Sequence, residues 1–570
     1  MLRLIFLLLF SVSLFAQDVN LDFVKTYGGN SFDIGQAVHR DANNIYITGI
    51  FTETVGFDTQ SGNVTLISNG QTDVFFAKLD TTGNLLWVKQ IGGASNDDGI
   101  SIITDSSGNI FVLGDFLGTV DFDPSANSTT LFSGSGNMFI AKYDSNGNFL
   151  WVTDIPGSSL SVESMSMDKD SSDNLYVTGN FRGTISYDPG SGTFVNISSS
   201  NSGNGDDIFI CKIDNSGNII FVRALKDNNA QSEGSGHSIQ IDNNSSIYLT
   251  GIFSFTVDFD PGSGTFNLTS DGGSNDSDIF AVKLDLNGNF IWAKSFGASN
   301  SDIGNDIATD NSGNVYVTGS FRDTVDFNPS PSETNELTSV ANTDAFILKL
   351  DQSGNYVWAK SFGGSSSDTG NSIALDSNGD VYTTGRFLST VDFDPDQSTV
   401  FNLTSNGSGD IFIHKLDAIG NFMYVKQIGG SGSESVNSID VDSNFNILII
   451  GAFRNTVDFD PETDVFEVDS NGSRDIFILN LESSSLSVTE NDIISNEIVL
   501  FPNPTQDYIY VESKKNISHI NIYDIQGKFM YKININKTQN QIDVSVLSTG
   551  IYLLEIHTDN LKSYKKIIKI

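Results

Sequence analysis

The chain has 570 residues and a formal net charge of −40, because 30 Lys and Arg residues stand against 70 Asp and Glu residues. Nucleic acid and anionic membranes are therefore poor partners, since too few cations are available to neutralise their phosphate groups. Only 18% of the residues are charged, Gly (53) and Phe (42) are abundant, and no long amphipathic helical pattern is visible. This composition predicts an all-β protein that is long enough to bury a large core.

Residues 1–17 predict a secretory signal peptide. Arg3 precedes an apolar run that ends at Ala16, and the run is too short to anchor the chain in a membrane. We therefore expect cleavage near Ala16 or Gln17, and we expect no transmembrane segment.

The segment DSNGDVYTTGRFLSTVDFDP, residues 376–395, represents a unit that recurs seven times. The copies follow one another at intervals of roughly 66 residues, and such regular self-similarity indicates a repeat architecture. Each copy has one turn glycine at the equivalent position: Gly49, Gly114, Gly179, Gly251, Gly319, Gly385 and Gly451.

Each repeat contains four strand-like segments, which we name A, B, C and D. In the sixth repeat they are NSIALD (371–376), VYTTGRF (381–387), DIFIHKLD (410–417) and FMYVKQIGG (422–430). Short turns with Asp, Asn and Gly join A to B and C to D, as in antiparallel hairpins. Strand C is almost wholly apolar apart from its lysine, so both faces of the sheet should be covered. Sheets stacked around an axis satisfy this requirement, which predicts a β-propeller.

The order of the segments predicts how the first and last repeats are related. Residues 21–29, LDFVKTYGG, read as a D strand with no A, B or C strand before it, whereas the last repeat ends after its C strand at residues 475–482. We therefore predict a seven-bladed β-propeller over residues 18–482 that is closed by the N-terminal strand. An open solenoid would need no such exchange and is the alternative.

The B-to-C connections carry a recurring TVDFDP motif. They share one face with the D-to-A loops, because the A-to-B and C-to-D turns occupy the other face. In an extended strand, Val and Phe point one way and the two acids the other. These acids are candidate ligands for calcium, which prefers several oxygen donors: Asp121, Asp123, Asp258, Asp260, Asp392, Asp394, Asp458 and Asp460. The alternative is that an Asp before Pro caps a turn through its own side chain.

Catalytic groups are hard to assemble from the repeats. The five histidines occupy unrelated repeat positions, and the four tryptophans share one position in strand D, which favours packing between sheets over a sugar platform. The D-to-A loops add the acids Asp33, Asp97, Asp302 and Asp368. No other cofactor is indicated.

The repeats resemble the SBBP family of β-propeller repeats. The segments that carry the resemblance are NNIYITGIF (43–51), DNLYVTGNF (173–181) and GNVYVTGSF (313–321). The resemblance implies extracellular or cell-surface proteins and carries no established catalytic residues.

After residue 482 the pattern changes. Residues 483–497 read as a polar linker, and residues 498–570 alternate as strands, which predicts a small β-sandwich. This region resembles the type A C-terminal sorting domain of the type IX secretion system of Bacteroidota. The matching residues include Pro502, Asn503, Pro504, Gly527, Lys528, Gly550, Tyr552, Lys565 and Lys566. The resemblance implies recognition by the outer-membrane translocon, passage through the periplasm, and release or attachment at the outer cell surface.

Two functions remain open for the repeats. The first is a non-enzymatic scaffold that binds an extracellular glycan or protein. The second is a secreted hydrolase or lyase that acts on polysaccharide. An enzyme should break the repeat by placing unlike acids, bases or nucleophiles around one pocket, and the similar loops favour the scaffold.

Overall fold

The computed structural model describes residues 17–59, 62–155, 162–199, 205–227, 233–272, 276–330, 332–396, 399–462, 465–485, 498–524, 529–558 and 561–570. Residues 1–16 of the predicted signal peptide and most of the predicted linker lie outside this part of the chain. One compact unit comprises Leu21–Glu482, and Ser483–Ile570 belong to a second unit. The described residues include no helix with the length and apolar composition needed to span a bilayer.

The strands follow the repeat predicted from the sequence. Strand β1 (Gln17–Tyr27) precedes the first repeat, which contains β2 (Ile34–Arg40), β3 (Asn44–Thr59), β4 (Gly62–Asp80) and β5 (Leu85–Gly93). The second contains β6 (Asp97–Thr104), β7 (Ile110–Asp121), β8 (Thr130–Tyr143) and β9 (Phe149–Ile155). The third contains β10 (Val162–Lys169), β11 (Leu175–Phe181), β12 (Thr184–Tyr187), β13 (Val195–Ser198), β14 (Asp207–Ile213) and β15 (Ile219–Asp227).

The remaining repeats keep the same order. The fourth contains β16 (Gly234–Ile241), β17 (Ser246–Phe253), β18 (Thr256–Asp258), β19 (Asn267–Thr269), β20 (Asp278–Asp285) and β21 (Phe290–Phe296). The fifth contains β22 (Ile303–Thr309), β23 (Val315–Asp326), β24 (Glu336–Leu350) and β25 (Tyr356–Gly364). The sixth contains β26 (Thr369–Leu375), β27 (Val381–Phe387), β28 (Thr390–Asp392), β29 (Asn402–Thr404), β30 (Asp410–Leu416) and β31 (Phe422–Gly430). The seventh contains β32 (Ser435–Val441), β33 (Ile447–Phe453), β34 (Thr456–Asp458), β35 (Glu467–Asp469) and β36 (Asp475–Ser485).

Within a repeat, strands A to D pair in sequence order as an antiparallel sheet. The sixth repeat shows the order β26-β27-β30-β31, and its C strand, β30, is buried along its whole length. Burial of successive residues means that both faces of the strand are covered. The structure therefore confirms the all-β fold and the four-stranded repeat.

The first and last repeats are connected through the N-terminal strand. Strand β1 belongs to the sheet β1-β36-β33-β32 and lies beside β36, where the sequence places it. The Asn480 side-chain amide donates to Asp22 over 2.8 Å, and the Arg40 guanidinium forms a 2.8 Å ion pair with Asp442. These contacts join residues more than 400 positions apart.

The TVDFDP segments form short hairpin arms that reach the preceding repeat. In the sixth repeat, β28 pairs with β29 of its own arm and with the end of β25, the D strand of the fifth repeat. Val391 and Phe393 are fully buried, whereas Asp392 and Asp394 are half-buried, which confirms the predicted alternation. The Phe393 ring lies 5.3 Å from that of Phe362 in the preceding repeat. The arm therefore links two neighbouring sheets.

The lysine in strand C also connects neighbouring repeats. Lys349 lies over the Tyr316 ring at 4.8 Å and donates a 3.0 Å hydrogen bond to the Ala418 carbonyl oxygen in the next repeat. The equivalent bonds of Lys78, Lys212 and Lys283 reach Ser145, Leu286 and Gln352. A cation in an otherwise apolar strand is thus held by an aromatic face and a backbone acceptor.

The tryptophans pack between repeats, as the sequence predicts. A Cβ atom on Gly147, in the C-to-D turn of the second repeat, would lie 3.2 Å from the Trp87 ring of the first. Trp292 and Trp358 pack in the same way against Gly354 and Gly420. Their shared position therefore reflects sheet packing.

The second unit contains β37 (Ile498–Phe501), β38 (Tyr508–Asp524), β39 (Phe529–Asp543), β40 (Gly550–Thr558) and β41 (Leu561–Lys569). These strands belong to one hydrogen-bonded sheet. The buried residues of β38 change from odd to even numbers, Ile509 and Val511 against Ile520 and Ile522, across an irregularity in its pairing. The irregularity therefore lets both halves of the strand direct apolar side chains into a single core.

Candidate functional site

A β-bulge in each A strand leaves one residue without a cross-strand partner. The seven unpaired residues all line one cavity of about 860 Å³. Bulges redirect side chains next to binding sites, and here they set the lining of the cavity. The residues are Gln36, Ile100, Met165, His237, Asn305, Asn371 and Asn437.

Several of these side chains bond to the backbone of the next repeat. The Asn305 amide donates to the Gly370 carbonyl oxygen over 2.8 Å, and Asn437 donates to the Gly35 carbonyl oxygen over 2.9 Å. His237 Nδ1 lies 2.9 Å from the Gly304 carbonyl oxygen, and burial lowers the pKa of this imidazole. The polar part of the cavity wall is therefore held rigidly.

Three acidic residues that line the cavity are not shared by the other repeats. Asp98 and Asp115 are cross-strand partners in the second repeat, and Glu163 follows in the third; all three line the cavity. Burial raises the pKa of Asp98. Burial, with smaller contributions from Asp98 and Glu163, raises the pKa of Asp115 well above its usual value, although Ser164 donates to this carboxylate over 2.8 Å.

These three acids were not predicted from the sequence. The sequence carries a signal for them, because Asp98 and Asp115 align with Ile34 and Ile50 of the first repeat. This signal lies in residues that differ between the repeats and not in residues that the repeats share.

The predicted calcium ligands occupy the turns of the hairpin arms. Asp121 Oδ1 accepts hydrogen bonds from the backbone N–H groups of Asp123 (3.1 Å) and Thr129 (2.9 Å). Asp258, Asp392 and Asp458 close their arms by the same two bonds. Asp123, Asp260, Asp394 and Asp460 each accept a backbone N–H two residues further on. This geometry is that of turn-capping carboxylates.

Calcium binding at these arms stays a prediction. Among the residues that the structure describes, no group of three or more His, Cys, Asp or Glu side chains is placed to hold a metal ion.

Two equivalent clefts lie between a hairpin arm and the preceding D strand. The first, about 420 Å³, is lined by Lys89, Asp121 and Asp123 together with Leu66 and Val88. The second, about 380 Å³, contains the corresponding residues Lys426, Asp458, Asp460, Leu403 and Val425. The two clefts therefore share the same set of lining groups: two carboxylates, one ammonium group and two aliphatic side chains.

The two clefts differ at one lining position. Ser125 in the first corresponds to Glu462 in the second, where Glu462 forms an ion pair with Lys426. The ammonium group of the second cleft is thus neutralised by a residue that the first cleft lacks.

In the second unit, the predicted sorting residues meet at the last strand. The Asn503 side chain donates to the Lys566 carbonyl oxygen and accepts from the Ile568 N–H group, both over 2.8 Å. The peptide bonds before Pro502 and Pro504 are cis. Gly550 and Tyr552 lie on β40, which pairs with the strand that carries Lys565 and Lys566. Gly527 and Lys528 lie outside the described residues.

Comparisons with known proteins agree with this division of the chain. The family model described as a secretion system C-terminal sorting domain matches residues 499–570. The model described as a beta-propeller repeat, SBBP, matches residues 86–115, 291–320 and 357–386.

Two curated proteins are similar to parts of this chain. The identity is 24% over 512 residues with the uncharacterized WD repeat-containing protein L264 of Acanthamoeba polyphaga mimivirus, and the match covers 76% of this chain and 36% of that protein. It is 38% over 88 residues with an endo-acting ulvan lyase of Formosa agariphila, and the match covers 15% of this chain and 17% of the lyase. The chain therefore spans well under half the length of either relative.

Among solved structures, streptogramin B lyase aligns with a TM-score of 0.36 and 9% identity. The alignment covers 81% of this chain and 98% of that one. Taken with the repeats and the tail described above, the family matches identify the chain as a protein with SBBP β-propeller repeats and a type IX secretion sorting domain, which directs its export to the cell surface or outside.

Proposed function

We propose that residues 18–482 form a closed seven-bladed β-propeller that serves as a non-enzymatic binding scaffold. Three observations support closure: β1 lies beside β36, Asn437 bonds to the first repeat, and residues of all seven A strands line one cavity. In this proposal the linker follows at residues 483–497, of which residues 483–485 still belong to strand β36. The sorting domain occupies residues 498–570, where a β-sandwich is consistent with the single core around β38.

The ligand that fits the repeated clefts best is a glycan. Carboxylates accept hydrogen bonds from sugar hydroxyl groups, and a lysine ammonium donates to them. The aliphatic side chains of Leu66 and Val88 in the lining can pack against the C–H face of a sugar ring. Recurrence of the same cleft, the observation that carries the proposal, suits a polymer with repeated units because a second contact becomes intramolecular.

The difference at Ser125 provides a test on the full chain. We expect binding on a glycan array and, by calorimetry, an affinity for the best oligosaccharide that falls about tenfold in Lys89→Ala, which corresponds to about 1.4 kcal/mol. Ser125→Glu copies the second cleft and should weaken binding similarly, whereas Glu462→Ser should strengthen it at the second cleft. Lys532→Ala, an exposed residue of the second unit, is the control. Absence of glycan binding, or equal binding by all variants, would refute the proposal.

A polysaccharide hydrolase or lyase is the second candidate, and one observation favours it. Asp98, Asp115 and Glu163 differ from the other repeats, share the large cavity, and include carboxyl groups with raised pKa values, as general acids require. Turnover of a polysaccharide by the purified chain that is lost in Asp98→Asn would establish this function. Turnover that survives this substitution would exclude this site as the catalytic centre.

A further inference from the structure

A pair of buried carboxylates flanks the double glycine at the end of the first repeat. Asp73 opens the C strand and lies against Gly92, where a Cβ atom would collide with its carboxyl group. Asp97, from the next D-to-A loop, accepts a 2.6 Å hydrogen bond from the Gly93 N–H group. Both aspartates are 0% exposed. Two acidic side chains therefore lie on either side of consecutive glycines, at a junction closed to solvent.

Within the part of the chain that the structure describes, the same arrangement recurs at three other junctions. In each, the first Asp of a C strand lies against the first residue of the glycine pair, or of the dipeptide at the same position. An Asp from the next D-to-A loop accepts a hydrogen bond from the N–H group of the second residue. The pairs are Asp278 with Asp302, Asp344 with Asp368, and Asp475 with Asp33.

One oxygen of each C-strand carboxylate has no hydrogen-bond partner. Asp73 Oδ2 accepts bonds from the Asn69 N–H group (3.0 Å) and the Gln90 amide (2.6 Å), and the Gly70 N–H group also opposes the rise in the pKa of this carboxyl group, whereas no donor lies within hydrogen-bond distance of Oδ1. The Oδ1 atoms of Asp278, Asp344 and Asp475 are buried without a partner in the same way, and so is that of Asp410, whose junction is described below. Such a buried oxygen is costly. Its recurrence at equivalent positions indicates a common missing partner.

The charged residues around these junctions indicate that the missing partner of the carboxylate oxygen carries a positive charge. The strongest charged influences on Asp97 come from Asp73 and Asp98, and those on Asp302 come from Asp278 and Asp323. Burial, and then these acids, raise the pKa values of Asp97 and Asp302 to about 7. Two ionised carboxylates in a dry junction repel each other, and either a shared proton or a cation between them removes this repulsion.

We propose that each of these four junctions binds a hard divalent cation, expected to be calcium, between its two carboxylates. Calcium takes about six to eight oxygen ligands, including backbone carbonyl groups and waters. The Gly93 and Ser95 carbonyl oxygens lie beside Gly70, within 2.7 Å of the position of its absent Cβ atom. An oxygen that accepts one N–H bond keeps a lone pair for a cation, so Asp97 can serve both partners.

Two other repeats provide internal contrasts. Asn137 occupies the position of Asp73 in the second repeat, as its pairing with Phe116 shows, so a neutral side chain is compatible with the fold. Asp410 meets Glu434 at the end of the sixth repeat, but the positive charges of Arg386 and Arg474 act on Glu434. We therefore expect no cation at these two junctions.

The test uses the full chain, with bound calcium measured by elemental analysis after gel filtration and Tm measured with chelator or with millimolar calcium. We expect about four calcium ions per chain and a calcium-dependent rise in Tm of several degrees. Asp73→Asn, which copies Asn137, should lose about one ion and part of the rise. Asp123→Asn, in a hairpin arm, should keep the full number.

Each other outcome overturns the proposal. If no calcium binds and Asp73→Asn raises Tm in chelator at neutral pH, the carboxylates share a proton instead. If Asp123→Asn rather than Asp73→Asn loses calcium, the ions occupy the hairpin arms.

Discussion

Individual buried aspartates make the stability of the repeat unit depend on pH. Burial raises the pKa values of Asp97, Asp302 and Asp368 to about 7 and that of Asp33 to about 6, from a usual value of 3.8. A carboxyl group whose pKa is raised by folding stabilises the folded state fully below its unfolded pKa and loses this contribution as pH rises through its folded pKa. Without a bound cation, stability should therefore decrease between about pH 4 and pH 7.

We expect Tm in chelator to be several degrees higher at about pH 5 than at about pH 8. Asp344→Asn removes one charge from a junction in which burial raises the pKa of Asp344 to about 6, so it should flatten this dependence. Differential scanning fluorimetry across the range measures both effects. A Tm that increases steadily from pH 5 to pH 8 would contradict the assignment.

The hairpin arms act at the scale of elements, because those of the second, fourth, sixth and seventh repeats each add a short pairing to the sheet before them. Phe393 fills the space between its own repeat and the preceding one, with ring centroids 5.3 Å from both Phe362 and Phe412. The exposed residues near the arm tip, such as Val400, make no comparable contact; Val400 is 68% exposed. The motif is therefore recurrent because it joins sheets, whatever ligand the clefts hold.

Phe393→Ala should lower the free energy of unfolding by about 3–5 kcal/mol, the usual cost of truncating a buried aromatic side chain. Val400→Ala should change it by less than about 0.5 kcal/mol. Chemical denaturation of the full chain, followed by tryptophan fluorescence, compares the two. Equal effects would mean that the arms do not stabilise the sheets.

The elements were more predictable than the contacts between them. Alternation of Val and Phe with acids predicted which side chains of the arm are buried, and the turn residues predicted the four strands, but the hairpin and its pairing with the preceding repeat were not predicted. The bulge that turns Asn305 into the cavity was not predictable, because one extra residue in a short A strand leaves the alternation ambiguous. The pairing of Asp73 with Asp97 was also missed, since it depends on how the C strand of one repeat meets the loop of the next. Capping by Asp121 was recognised as the alternative to calcium because its pattern is local.

At the scale of the whole molecule, the N-terminal strand replaces the D strand of the seventh repeat. Tyr27 is 5% exposed and lies 4.9 Å from the Phe57 ring, and it matches Phe362 of the fifth repeat in position. Gly28 bridges to Gly56 of the first arm, as β25 bridges to β28. The arm of the first repeat thus contacts β1 as the arm of the sixth repeat contacts β25.

If the propeller is closed, Tyr27→Ala and Phe362→Ala should destabilise the chain by similar amounts, about 3–5 kcal/mol each. In an open solenoid, Tyr27 would belong to a frayed terminal strand, and its substitution would cost little. Equilibrium denaturation distinguishes these cases by the ratio of the two effects.

The bond between Asp22 and Asn480 spans 458 positions, and this separation has a consequence for biogenesis. Strand β1 is synthesised long before its neighbour β36 and lacks this partner until residues 475–485 have also been made, so assembly of that sheet is a late and slow event. A polypeptide stalled before this point would lack both its final hydrogen-bonded edge and the address in residues 499–570. Both the completed sheet and the sorting domain therefore require that synthesis has passed residues 475–485.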